Sequence, residues 1–217
     1  MSFTWKSLIF DFDNTLVASS IDFRGLKQEI IALLHQNDLA HDISLSSNPP
    51  LSKLSQIPLD LGLTEINSQI WELIEIYEIE GMKEAILEEN VTEVLLRLAQ
   101  NYELSILTNN TAKLTLNTLK TFNLMDPFAL IVSRDDNLPL KPSPEGLHFL
   151  INKMNYNPSQ TLFIGDSPID AIAAEQANIA FLAYKPKLEY FVERGVELSN
   201  VINNFNELEN WLLNAKI

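Results

Sequence analysis

The stretch Ser7-Leu8-Ile9-Phe10-Asp11-Phe12-Asp13-Asn14-Thr15-Leu16 decides how the whole chain is read. Leu8 to Phe10 is a short apolar run with the length and bounding of a buried parallel strand. It ends in two carboxylates, Asp11 and Asp13. Residues two apart in extended backbone project to the same side, so both acids can face one crevice. A doubly wound sheet holds its ligands just beyond the carboxyl ends of its strands. Two acids at such a place repel each other unless one is protonated or a cation sits between them. The stretch therefore points to acid–base work or to a metal.

Downstream of Leu16 the pattern turns helical. Leu26, Ile30, Leu33 and Leu34 recur at helical spacing from about Asp22 to His35. Asn37 to Pro50 reads as a loop marked by Asn48-Pro49-Pro50. A short helix is expected from Leu51, with Pro58 stopping or kinking it. Thr64 is expected to cap a further helix that buries Ile66, Ile70, Leu73 and Tyr77 and ends near Gly81. No strand is expected between Leu16 and about Glu89, so an all-helical segment is inserted just after the first strand.

Beyond it, Asn90 with Glu93 predicts a capping box for a helix carrying Val91, Val94, Leu95 and Leu98. Strands and helices then alternate. The expected strands are Leu104 to Leu107, Ala129 to Val132, Thr161 to Ile164 and Ile179 to Ala183. Helices are expected over Thr111 to Phe122, up to Met154, behind Asp170, and from about Asn206 with Leu208, Trp211 and Leu212 inward. This order implies an α/β fold: a doubly wound parallel sheet with helices on both faces.

Composition removes several functional classes. The 217 residues are 46% hydrophobic, enough for a sizeable core, in one domain with an insertion or two modest ones. Lys and Arg number 15 against 29 Asp and Glu, a formal charge of −14, which repels nucleic acid but admits a small phosphorylated substrate. The chain has no cysteine, so disulfides, thiolate metal sites and thiol catalysis are excluded. No apolar run approaches the roughly 20 residues of a membrane span. Met1 to Ser7 is too short and polar for a secretory signal, and the expected location is cytoplasmic. His35, His41 and His148 lack zinc-type spacing and read as ordinary surface or half-buried residues. No glycine-rich phosphate loop and no G-x-S-x-G is present.

Four polar clusters follow four expected strands: Asp11/Asp13/Thr15, Thr108/Asn109, Lys141, and Asp166/Asp170. Strand ends on one edge of a parallel sheet meet in space. Such a site would hold up to four carboxylates, an ammonium, a hydroxyl and an amide. Hard oxygen ligands without histidine or cysteine suit Mg²⁺, which keeps waters and substrate phosphate in its shell. Pro139, Pro142 and Pro144 stiffen the Lys141 loop.

Through these motifs the chain resembles the haloacid dehalogenase superfamily, in its phosphatase branch, over nearly its whole length. The signatures stand as Asp11-Phe12-Asp13-Asn14-Thr15-Leu16, Leu107-Thr108-Asn109, Lys141-Pro142 and Gly165-Asp166-Ser167-Pro168-Ile169-Asp170. The insert resembles the helical cap of phosphoglycolate phosphatase-like and phosphoglucomutase-like members. The resemblance implies a Rossmann-like core over residues 1–16 plus 90–217 and a helical cap over 17–89.

The resemblance also assigns roles. Asp11 attacks phosphorus and forms an aspartyl-phosphate. Asp13 protonates the leaving oxygen, then activates water, and its main-chain carbonyl is a metal ligand. The Thr108 hydroxyl and the Asn109 backbone bind phosphoryl oxygens, and Lys141 offsets negative charge on Asp11 and the substrate. Asp11, Asp13, Asp166 and Asp170 form the implied Mg²⁺ set. Asp170 keeps two readings, since Ser167-x-x-Asp170 with Pro168 is also a good helix start by itself.

Three departures are mild. Asn14 stands for a common glycine, Ala177-Asn178 for the usual Ala-Gly, and Ala18-Ser19-Ser20 lacks an acid often found after Leu-Val. Asn tolerates left-handed backbone, so the turn at Asn178 is expected to survive.

The expected activity is Mg²⁺-dependent hydrolysis of a small phosphomonoester, by a monomer or homodimer with no nucleic-acid or membrane partner. A phosphomutase would keep the same site. Haloacid dehalogenation needs neither Asp13 nor Asp166, and a non-catalytic binding module needs none of the acids. Arg24 and Lys27, on the first inserted helix, are candidates to read an anionic leaving group, whereas the glutamates between Glu65 and Glu89 read as a solvated face.

Overall fold

The computed structural model describes residues 5–44 and 49–214. The chain divides into a sheet unit, Met1–Ala18 with Ile86–Ile217, and a helical unit, Ser19–Ala85. Asn48 of the expected loop, and Met1 to Thr4, lie outside the described residues.

The sheet unit is built on β1 (Ser7–Phe10), whose four residues are all buried. A strand with no solvent face belongs in the middle of a sheet covered on both sides. There β1 pairs in parallel with β4 (Glu103–Leu107) and with β6 (Thr161–Gly165). The sheet continues through β5 (Phe128–Val132) on one side and β7 (Ala180–Tyr184) and β8 (Val201–Ile202) on the other. The order is β5-β4-β1-β6-β7-β8, parallel throughout.

Alternation along β1 supplies both cores. Ile9 joins Leu107, Leu147, Leu150, Phe163 and Ala173, gathered from the sheet and from α6 (Glu145–Met154) and α7 (Pro168–Gln176). Phe10 instead stacks on Phe205 of α9 (Phe205–Asn214), with ring centroids 6.4 Å apart. The first helix of this unit, α4 (Val91–Leu98), buries Val91, Val94, Leu95 and Leu98, and α5 (Ala112–Thr121) follows β4. Toward the C-terminal part of the unit, β8 and α8 (Leu188–Glu193) have no counterpart in the sequence reading. Two residues of strand and six of helix are too few to show a period.

The same limit corrects the expectation of a strand-free stretch from Leu16 to Glu89. β2 (Val17–Ala18) and β3 (Ile86–Leu87) form an antiparallel pair, Val17 opposite Leu87 and Ala18 opposite Ile86. Both belong to the sheet unit.

Among the described residues, the helical unit contains helices and turns. In α1 (Phe23–Gln36) the Asp22 side chain caps the first turn by accepting from the Gly25 amide at 2.9 Å. Its stripe Leu26, Ile30 and Leu34 packs with Leu54 of α2 (Leu51–Asp60) and Ile70 and Ile74 of α3 (Thr64–Met82). Arg24 is exposed and Lys27 half-buried. Pro58 does not stop α2, which runs on to Asp60. A proline removes its own N–H and crowds the carbonyl one turn back, but the Pro58 carbonyl still accepts from the Leu63 N–H at 2.8 Å just past the helix end.

Two expected caps are also corrected. Thr64 is the first residue of α3, after Leu63. Asn90 makes no side-chain bond to α4; it enters through left-handed backbone at φ 61°. Asn178 is left-handed at φ 54°, as the turn after α7 requires.

Candidate active site

Asp11 stands one step past the end of β1 and keeps the sheet pattern, donating its N–H to Ile164 O at 2.8 Å. The chain then turns around one carbonyl. Phe12 O accepts from Thr15, Leu16 and Val17 at 3.4, 2.9 and 3.2 Å, and Asn14 adopts φ 57°. Asn tolerates that backbone better than most residues. The Asn14 side chain donates to Asp13 Oδ2 at 3.3 Å. Asp11, Asp13 and Thr15 are all buried.

The second and third clusters are joined. Thr108 follows β4 with its hydroxyl in its own turn, accepting from Asn110 N at 3.1 Å and donating to Asn110 Oδ1 at 3.3 Å. The Asn109 carboxamide reaches the Lys141 main chain, accepting from its N–H at 3.0 Å and donating to its carbonyl at 3.1 Å. Lys141, buried over the face of Phe163, places Nζ 2.5 Å from Asp11 Oδ1 and 2.6 Å from Asp170 Oδ1.

Asp170 takes the helix-cap reading, and its second oxygen turns to Lys141. Oδ2 accepts from Ser167 Oγ at 2.5 Å and from Ser167 N at 3.1 Å, closing the capping box of α7. Oδ1 faces Lys141. The tight fit needs Gly165, because a Cβ there would lie 2.7 Å from Asp170 Oδ2.

One side-chain oxygen from each of Asp11, Asp166 and Asp170 lies within 4.8 Å of the others. The Asp13 carboxylate is not among these three. Burial raises the Asp11 carboxyl from 3.8 to about 7, against the opposing pull of Lys141 and with help from Asp170. Burial, then Asp170, Asp11 and Asp13, push Asp166 well above the usual carboxylate range. Burial works against the Lys141 ammonium, but Asp11 and Asp170 more than offset it and hold the proton firmly.

The structure thus brings Asp11, Asp166, Asp170 and Lys141 together, with Asp13 close enough to act on Asp166. This donor set fits a small divalent cation, since hard oxygens held this close need positive charge between them. The sequence reading did not single out Asn110, Gly165 or Ser167 as parts of the site. Thr15 Oγ1 and Asn110 Nδ2 are buried without a hydrogen-bond partner among the described residues. His35 serves its own loop, within 3.2 Å of Ala40 O and 3.1 Å of Ile43 O.

Fold and site together define a hydrolase of known type. The family of haloacid dehalogenase-like hydrolases matches residues 8–184, and the chain belongs to it. It is similar to a phosphoglycolate phosphatase of Colwellia psychrerythraea, 30% identical over 79% of this chain and 80% of the relative. A phosphoglycolate phosphatase of Psychrobacter arcticus is 25% identical over 96% of each chain. The crystal structure of a HAD-superfamily hydrolase from Ehrlichia chaffeensis is 25% identical, covers 98% of each chain and superposes with a TM-score of 0.61. Among the described residues no helix is long and apolar enough to cross a membrane.

Proposed function

We propose that this phosphatase of the haloacid dehalogenase-like family hydrolyses a small anionic phosphomonoester of the phosphoglycolate class, in the cytosol, through an aspartyl-phosphate and with Mg²⁺. The observation that carries the reading is the buried bridge of Lys141 to Asp11 and Asp170 beside Asp166 at the carboxyl edge of the sheet. The curated relatives supply the substrate class.

In this reading an Asp11 carboxylate oxygen attacks phosphorus while the bond to the leaving oxygen breaks. Asp13 delivers its proton to that oxygen. It then takes a proton from water, which attacks phosphorus and frees Asp11 and inorganic phosphate. Lys141 holds Asp11 in place and offsets charge as the phosphoryl group arrives. Thr108 and the backbone of Asn109 receive phosphoryl oxygens. Asp11, Asp166, Asp170 and the Asp13 carbonyl would hold Mg²⁺, which would supply the remaining positive charge. Arg24 and Lys27 are the candidate cations for an anionic leaving group.

The test is release of inorganic phosphate from 2-phosphoglycolate and from p-nitrophenyl phosphate, with EDTA and after Mg²⁺ is restored. Mg²⁺-dependent release with a preference for the acidic ester is expected. Full activity in EDTA would sink the magnesium assignment, and no release from any phosphomonoester would sink the phosphatase mechanism.

A further inference from the structure

The Lys141 ammonium is held by its acids, but its main chain is held by something else. The Asn109 carboxamide accepts the Lys141 N–H at 3.0 Å and donates to the Lys141 carbonyl at 3.1 Å. A carboxamide carries a donor and an acceptor side by side, so it pairs with a backbone as a neighbouring strand would. The pairing spans 32 residues of sequence and joins the end of β4 to a proline-flanked loop that belongs to no strand.

Asn109 is itself held from behind. Arg134 Nη1 donates to Asn109 O at 3.3 Å and the Arg134 amide to Asn110 O at 3.0 Å. Asp135 Oδ2 accepts the Ala112 amide at the start of α5, at 2.8 Å. Lysine has a long stem with several rotatable bonds, so the place of its ammonium depends on where its backbone starts.

We infer that the Asn109 side chain is a positioning residue, which sets the Lys141 ammonium on Asp11 and Asp170 by pairing with the Lys141 backbone. What Lys141 then does rests on the function proposed above; the pairing itself does not. A small displacement of a group that must meet the reacting atoms costs on the order of a hundredfold in rate.

The test is Asn109→Ala, with Asn109→Ser as a gentler variant. Hydrogen exchange of the Lys141 amide, read by NMR, should speed up at least ~10-fold as its acceptor is lost. With p-nitrophenyl phosphate, kcat should fall roughly 10- to 100-fold, with a smaller change in KM and little change in melting temperature. In a Lys141→Ala background the same Asn109 change should alter kcat less than about twofold, because it acts through the residue already removed.

Unchanged protection of the Lys141 amide, or losses that multiply in the double variant, would overturn the inference. Failure of both Asn109 variants to fold would assign the residue to folding and overturn it too. If the wild-type protein hydrolyses no phosphomonoester, the amide exchange still decides the pairing by itself.

Discussion

Two ion pairs in the sheet unit use the same chemistry to opposite effect. Arg97 of α4 grips Glu209 of α9 with two parallel hydrogen bonds, Nε at 2.9 Å and Nη2 at 2.7 Å. Their side chains are 52% and 30% exposed, while those of Lys141, Asp11 and Asp170 are 3%, 10% and 0% exposed. On the surface each partner eases the other's ionisation: Glu209 raises Arg97, and Arg97 lowers Glu209. In the buried cluster Asp11 is raised although an ammonium sits 2.5 Å away. Water solvates the surface charges, so attraction prevails there. Inside, desolvation is the larger effect, and three carboxylates share one ammonium. The surface pair is complete, whereas the buried cluster carries more acids than ammonium, a deficit that a bound cation would fill.

The comparison can be broken at several points. The largest effect is expected from Asp11→Asn, which removes the carboxylate proposed to attack phosphorus with almost no change of shape. Turnover should fall at least about a thousandfold. The melting temperature should hold or rise, because one buried negative charge is gone. Near wild-type turnover of p-nitrophenyl phosphate would mean that another group attacks.

Lys141→Met comes next. It leaves the buried acids without their ammonium, and breaking a buried pair from one side commonly costs about 3–5 kcal/mol. Urea unfolding of metal-free protein at pH 8 should show that loss, and protein at pH 5, where the acids take up protons, should lose less. An equal loss at both pH values would argue against charge as the cause.

A smaller effect concerns pH and metal in the wild type. A carboxyl whose folded pKa lies above its unfolded value binds more protons folded than unfolded, so its contribution to stability falls as pH rises between the two. For Asp11 that window runs from 3.8 to about 7, and Asp166 shifts in the same direction. The metal-free protein should therefore lose melting temperature across this window, and Mg²⁺ should restore more at pH 7.5 than at pH 5. A flat profile, or an Mg²⁺ effect independent of pH, would remove the charge-deficit account.

The smallest effect belongs to Arg97→Ala. Exposed pairs contribute little and are screened by salt. The melting temperature should move by at most about 4 °C, and by less in high salt. A larger, salt-insensitive drop would show that this pair is not the ordinary surface contact described here.

Much of this molecule follows from local pattern. Leu8 to Phe10 must be buried on both faces because it has no polar side, and the acids that follow must lie at the strand's carboxyl end. The same logic locates β4, β5, β6 and β7, and with them Thr108 and Asp166, whereas Lys141 sits in the longer loop after β5. Period and apolar run length are properties of neighbouring residues, so no tertiary contact is needed to read them. Elements of two residues, such as β2, β3 and β8, carry no period and stay hidden. Also hidden is every role created by approach across the sheet. Asn109 reads as one more polar residue after a strand until Lys141, 32 positions on, is laid against its carboxamide. Gly165 is only the first residue of a signature until Asp170 occupies the space of its missing Cβ. Asp170 reads as either a helix cap or a ligand until folding gives each oxygen its own neighbour. Which polar residues stand at the strand ends is thus settled by residue order and hydrophobic pattern. Which atoms meet there, and how far burial outweighs attraction among them, is settled by packing alone, because distance and desolvation exist only once the chain has folded.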